Sequence, residues 1–146
     1  MVPASLSVGQ NHACALTVDG VAYCWGNGGA NNGQASPAEP VSTPLRFVQI
    51  VTGDNLFCGI STDTSTYCWG NNGYGQTGIG TFDGVSTDPT RVAGDVKLRQ
   101  VDAGIGQMCG VSANGRAYCW GANSEGQLGD GTTIDRAIPT LVQSVR

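Results

Sequence analysis

Charge is scarce in this chain. Only 12% of its 146 residues are charged, with 7 Lys and Arg against 11 Asp and Glu, a formal net charge of −4. A surface for a nucleic-acid backbone or an anionic membrane needs clustered cations, so the composition argues against both partners. Long apolar runs are also missing. No stretch approaches the roughly 20 residues of a membrane-spanning helix. The first residues, Met1-Val2-Pro3-Ala4, lack a basic segment followed by a long apolar one, so no signal peptide is expected in this chain. Histidine occurs once, at His12, and no Ser-His-Asp triad can be specified around it. Asp83, Asp88, Asp95 and Asp130 do not make the spacing of a calcium loop. The segment from Gly126 to Gly131 is glycine-rich but has no lysine and no following helix, which rules out a phosphate loop. The reading is therefore not an enzyme, with no catalytic residue, no metal ligand and no cofactor assigned.

What the chain has instead is repetition, which takes precedence over other fold signals. Tyr-Cys-Trp-Gly occurs three times, at Tyr23-Cys24-Trp25-Gly26, Tyr67-Cys68-Trp69-Gly70 and Tyr118-Cys119-Trp120-Gly121. A partner cysteine precedes each copy at Cys14, Cys58 or Cys109, so all 6 cysteines and all 3 tryptophans belong to the repeated unit. Gly9, Gly53 and Gly104 align, and so do Leu6, Ile50 and Val101. At His12 the other units carry Leu56 and Gln107, so the repeat does not require an imidazole. A Gly-Gln pair follows each Trp-Gly, at Gly33-Gln34, Gly75-Gln76 and Gly126-Gln127. The repeats span about 1–44, 45–95 and 96–139 of one domain. Because Pro139 precedes Val145 as Pro44 precedes Ile50, residues 140–146 are expected to add an extra terminal strand.

The hairpins can be placed in register from sequence alone. Asp19-Gly20 and Asn114-Gly115 are turn signals. A three-residue connection sets Cys14 opposite Cys24, Cys58 opposite Cys68 and Cys109 opposite Cys119. The turn needs positive φ at its third position, where glycine is at ease; the middle unit has Thr64 there and is expected to strain. The same register opposes Ala15, Gly59 and Gly110 to Tyr23, Tyr67 and Tyr118, a small residue against a large one each time. Alternation leaves both faces of every hairpin apolar, which suits radially stacked blades covered on two sides. One strand precedes each hairpin, and a fourth, outer strand is expected near the Gly-Gln to Pro connection. Facing cysteines lie at about 4.5 Å between Cα atoms in a non-hydrogen-bonded pair, close to disulfide range. The nine-residue spacing does not fit a zinc site. Three intra-hairpin disulfides are the favoured reading, with buried free thiols as the alternative; bridges would place the protein outside the cell or at its surface.

The aligned pattern Val8-Gly9-Gln10-Asn11-His12-Ala13-Cys14-Ala15-Leu16, then Asp19-Gly20-Val21-Ala22-Tyr23-Cys24-Trp25-Gly26-Asn27, resembles the repeat of the regulator of chromosome condensation family. The third unit's ending, Gly126-Gln127-Leu128-Gly129-Asp130-Gly131-Thr132, is the most specific part. The cysteine-bearing form looks like the family's secreted bacterial branch. Unit one departs from that ending at Ala35-Ser36 and unit two at Thr77. The resemblance implies an all-β fold of propeller blades, commonly seven to a ring, used as a binding platform. Three blades do not close a ring of 4–8, so a partial propeller, or half of a six-bladed homodimer, is expected. The leading function is a non-enzymatic protein-interaction module. One alternative is a carbohydrate-binding propeller using Trp, Gln and the asparagines Asn27, Asn71 and Asn123. Another is a structural or engineered fragment without a natural ligand. Candidate contact residues in the irregular loops are Tyr74, Phe82 and Arg91.

Overall fold

A computed structural model describes residues 1–27 and 37–144. Twelve strands follow in chain order: β1 (Pro3–Val8), β2 (His12–Thr17), β3 (Ala22–Gly26), β4 (Glu39–Pro40), β5 (Phe47–Thr52), β6 (Leu56–Ser61), β7 (Thr66–Asn71), β8 (Val85–Arg91), β9 (Leu98–Ala103), β10 (Gln107–Ser112), β11 (Ala117–Gly121) and β12 (Arg136–Leu141). They form three four-stranded antiparallel sheets, each an up-and-down meander. No helix occurs among the described residues. The chain is a partial β-propeller of three blades.

The hairpin register is the one the turn spacing dictates. Cys14 faces Cys24, Cys58 faces Cys68 and Cys109 faces Cys119. The three sulfur pairs lie at disulfide distance, with Cα atoms 4.1 Å apart in each. Ala15, Gly59 and Gly110 face Tyr23, Tyr67 and Tyr118. Gly59 has no room for a side chain, because an added Cβ would stand 2.5 Å from Phe47. Gly20 and Gly115 both close their turns at φ 80°, and Thr64 is held at φ 69° in the same place. A β-branched residue is strained there.

Blades stack in order. β2 packs on β5, and β6 on β9, while β1, β5 and β9 adjoin along the inner edge. The first interface buries Cys14, Leu16, Ala22, Cys24 and Val41 against Phe47, Ile50, Phe57 and Trp69. The second buries Val51, Cys58, Ile60, Cys68 and Val92 against Leu98, Val101, Met108 and Trp120. The tyrosine and tryptophan side of one blade thus meets the disulfide side of the one before it. Phe57 and Trp69 are stacked at 5.7 Å, and the Trp120 indole N–H donates to the Gln76 carbonyl at 3.0 Å.

Two features depart from the sequence reading. The described part of 140–146, residues 140–144, does not supply an extra terminal strand. Thr140 and Leu141 belong to β12, the outer strand of the third blade, facing Cys119 and Tyr118. Thr90 and Arg91 face Cys68 and Tyr67 in the same way, so Pro139 corresponds to Pro89 rather than to Pro44. Val145 and Arg146 lie outside the described residues, as do Gly33, Gln34, Ala35 and Ser36. The second feature is a register shift at the start of every inner strand, between Pro3 and Ser5, between Phe47 and Gln49, and opposite Val111 and Ser112. Such a bulge bends the strand. Its presence beside Phe47 as well as Pro3 makes it a property of the blade, not of the proline.

Candidate functional site

The strand directions give the molecule two ends. One carries the β1–β2 and β3–β4 types of connection, the loop face. The other carries the hairpin turns and the blade-to-blade links, the turn face. Tyr74 and Phe82 lie on the loop face in the long β7–β8 connection, each 52% exposed. Arg91 does not join them. β8 runs from Val85, opposite Asn71, to Arg91, opposite Tyr67, so Arg91 ends at the turn face. There it pairs with Asp95 at 3.6 Å, both side chains largely in solvent. The three sequence candidates therefore split between opposite ends.

The loop connections are built by buried polar side chains. Asn123 is fully buried, and its amide donates to Asp130 Oδ1 and to the Thr132 and Ile134 carbonyls, while its oxygen accepts from the Leu128 N–H. Asn72 does the same in the second blade, donating to the Thr81 and Asp83 carbonyls and accepting from the Thr77 N–H and hydroxyl. The structural counterpart of Asn123 is therefore Asn72, not Asn71, which corrects the repeated-asparagine reading. A buried amide with its hydrogen bonds satisfied within the loop has none left for a sugar. Asp130 is buried and its carboxyl sits well below the usual carboxylate range. The Thr132 hydroxyl is the main cause, with the Arg136 guanidinium at 2.7 Å beside it.

These cages hold a loop face that is both apolar and acidic. Ile105 is 80% exposed beside Gly106, and the Tyr74 ring approaches Gly106 from the neighbouring blade. Asp54, Asp83, Asp102, Glu125 and Asp135 stand at this end, where Arg136, bound to Asp130, is the cation placed there by β12. Arg46, Arg91, Lys97, Arg99 and Arg116 are all exposed and all belong to the turn-face half. The loop face is acidic, while the turn half mixes these five cations with Asp19, Asp63 and Asp95 and is only mildly basic. Sequence order hid this, since the charges alternate along the chain and separate only when the strands reverse direction.

His12 is buried at the loop-face end of β2. Neither ring nitrogen has a hydrogen-bond partner, and its ring packs 4.5 Å from Phe57. Burial lowers its pKa below 6.5, opposed by the Asn27 and Gly53 backbone and the Asp54 carboxylate. Its ring lies against Phe57 in the interface between the first two blades, a packing role. Among the described residues, no group of three or more His, Cys, Asp or Glu could hold a metal.

Comparison with known proteins places this geometry. In sequence, the chain is 32% identical to the ultraviolet-B receptor UVR8 of Arabidopsis thaliana over 73 residues, covering 49% of this chain and 17% of the receptor. It is 36% identical to the human probable E3 ubiquitin-protein ligase HERC6 over 74 residues, 49% of this chain and 7% of the ligase. The chain thus spans less than a fifth of these relatives. Among solved structures, yeast RCC1 (Prp20) bound to Kap60 superposes with a TM-score of 0.87 over 98% of this chain and 37% of that one, at 22% identity. Human WBSCR16 superposes with a TM-score of 0.82 over 95% of this chain and 37% of its own, at 22% identity. The regulator of chromosome condensation (RCC1) repeat matches residues 63–111 and 114–146, and a second form of the same repeat matches 4–34 and 99–127. With more than half of its residues matched and three blades in the repeat's own register, the chain belongs to the regulator of chromosome condensation (RCC1) repeat family.

Proposed function

We propose that this chain is a non-enzymatic protein-interaction module that binds a partner with a basic surface through its loop face. The observation that carries the reading is the acidity of that face. Exposed Tyr74, Phe82 and Ile105 are set among Asp54, Asp83, Glu125 and Asp135, with Arg46, Lys97, Arg99 and Arg116 at the other end. Aromatic anchors surrounded by charge are how protein interfaces gain both affinity and orientation. Structural neighbours are found with protein partners in their own contexts: yeast RCC1 is bound by Kap60, and Prp20p from Saccharomyces cerevisiae has binding properties toward Gsp1p and histones. We assign one repeat domain, with repeats of about 1–44, 45–95 and 96–139, completed to a ring by a second copy or by further blades. We also assign the protein to an oxidising compartment, outside the cell or at its surface. Three cysteine pairs at bonding distance support that assignment. Mass spectrometry of the protein alkylated without reduction should find no modified cysteine; six modified thiols would overturn it.

The carbohydrate-binding reading loses support from Asn123 and Trp120, both buried and engaged in the blade. Paired arrays decide between the two. An array of cationic and neutral peptides should give binding that falls with salt and is lost in Asp83→Lys combined with Glu125→Lys. Glycan binding that survives the double variant, with no peptide binding, would replace this proposal by the carbohydrate one.

A further inference from the structure

The loop face is recessed along its inner edge. Each inner strand turns into its hairpin through three residues, 9–11, 53–55 and 104–106. The turns close alike: the Gly9, Gly53 and Gly104 N–H groups donate to the His12, Leu56 and Gln107 carbonyls at 2.9, 2.8 and 2.9 Å. The three glycines therefore align from blade to blade, and they touch. A Cβ on Gly9 would stand 2.5 Å from the Gly53 carbonyl oxygen, and one on Gly53 would stand 2.6 Å from that of Gly104. The result is a ledge of bare backbone, each carbonyl set against the glycine of the blade before it. A residue with a side chain would push the ledge apart.

The ledge forms one wall of a recess of about 300 Å³, lined also by Thr52 and Ala103 at the strand ends and by Asp54 and Ile105 at the loop tips. Thr52, Gly53 and Asp54 belong to the second blade, which is flanked by a blade on either side, so the stacking already described sets their place. Two chemistries meet there. Ala103 and Ile105 supply apolar surface, and Asp54 supplies a carboxylate. The Asp54 carboxylate accepts only a long bond, 3.4 Å, from the Asn55 amide, and it enters neither ion pair formed among the described residues. Next to Ile105, the Tyr74 ring comes within 3.4 Å of the place a Cβ would take on Gly106. A carboxylate, an apolar wall and an exposed aromatic ring thus follow one another across the junction of the second and third blades.

We propose that this recess takes an arginine side chain from the protein partner, with an adjoining apolar residue of the partner lying on Tyr74. The guanidinium donates to the Asp54 carboxylate, and its aliphatic stem runs along Ala103 and Ile105. Arginine suits the site better than lysine. Its flat cation is weakly hydrated, tolerates an apolar wall and can hold a carboxylate by two parallel bonds, whereas an ammonium is compact and keeps its water. The stem covers apolar surface that would otherwise stay wet. Charge complementarity favours the same occupant, since Asp54, Asp83, Glu125 and Asp135 share this end while Arg136 is engaged by Asp130. The subsite rests on the loop-face binding proposed above and gives that surface a buried anchor of the kind that dominates protein interfaces.

An NMR titration of the 146-residue chain tests it. The probe is a peptide with one arginine beside one leucine in a Gly-Ser background. Amide shifts are expected at Gly53, Asp54, Gly104 and Ile105, with smaller ones at Tyr74. Asp54→Asn should weaken binding about tenfold. Asp83→Asn, the same change of charge elsewhere on the loop face, should weaken it less than about twofold. Lysine in place of the peptide's arginine should also cost about tenfold. Equal losses in the two variants would overturn the subsite while leaving the loop face an acidic binding surface, because they mark a diffuse field. Equal affinity for the arginine and lysine peptides would overturn it in the same way. No loop-face shift with either peptide, or with one carrying three arginines, would overturn the loop-face reading and the subsite together. Circular dichroism and the three disulfides serve as the check that each variant is folded.

Discussion

At the scale of single residues, two positions depart from what their neighbours in the repeat do, and each carries a measurable effect. Thr64 occupies a turn position where Gly20 and Gly115 sit, at φ 69°. A left-handed conformation costs a side-chain-bearing residue roughly 1–2 kcal/mol, while glycine returns part of that through the entropy of the unfolded chain. Thr64→Gly is expected to stabilise the protein by about 1 kcal/mol in urea unfolding; the same change should leave the slope of the transition alone. His12 is the second case. Its pKa in the folded protein lies below 6.5 because burial disfavours the imidazolium. Above pH 6.5 the ring is neutral folded and unfolded, and stability is at its full value. As the pH falls from there through the depressed folded pKa, the unfolded chain takes up the proton first and stability declines. Among nearby charges, Asp54 opposes this effect. His12→Leu, the residue the second blade has at Leu56, should flatten the decline of stability just below pH 6.5; an unchanged slope there would show that another group titrates.

At the scale of the element, the blade was largely legible and its outer strand was not. The hairpin register follows from three-residue turns and from Cys, Tyr and Trp recurring at fixed spacing. Two strands tied by a short turn have few ways to pair. β4, β8 and β12 return through long connections of unequal length. β8 and β12 enter their sheets with irregular pairing, between Cys68 and Gly70 in the second blade and Cys119 and Gly121 in the third. A proline pattern alone placed residues 140–146 one strand too far along for that reason. The asparagine cages were hidden too, since burial of Asn72 and Asn123 depends on which loop closes over them. The element's weight-bearing contact is the tryptophan. Trp120→Phe removes a buried N–H donor and leaves the Gln76 carbonyl unpartnered beside a small void, at an expected cost of about 2–3 kcal/mol in thermal or urea unfolding. Trp25→Phe in the dilute monomer should cost well under 1 kcal/mol, since its ring is already half in water and has no such partner among the described residues. Equal costs at the two positions would mean that Trp25 is covered in solution.

At the scale of the whole molecule, exposure ranks the three bridges. Cys14–Cys24 and Cys58–Cys68 lie under a following blade, while Cys109 of the third pair stands half-open on the trailing face. Thiol exchange requires direct approach to a sulfur. In the native dilute protein, a small thiol should therefore reduce Cys109–Cys119 first, as read by peptide mapping after quenching. Raising the protein concentration should slow that step alone if the face becomes covered. Composition could not have ranked the bridges, because the three cysteine pairs are indistinguishable in sequence and differ only in what stacks on them.

Each of these cross-links ties two adjacent strands of one blade, and none ties blade to blade. A pull on the two ends of the chain therefore meets blades that can peel apart but hairpins that cannot be drawn out. At about 3.5 Å per extended residue, each bridge withholds on the order of 30 Å of chain, and the three together withhold on the order of 100 Å. Under tension the oxidised protein is a short, stiff tether of three locked segments. Reduction would turn the same chain into one that pays out its full contour length.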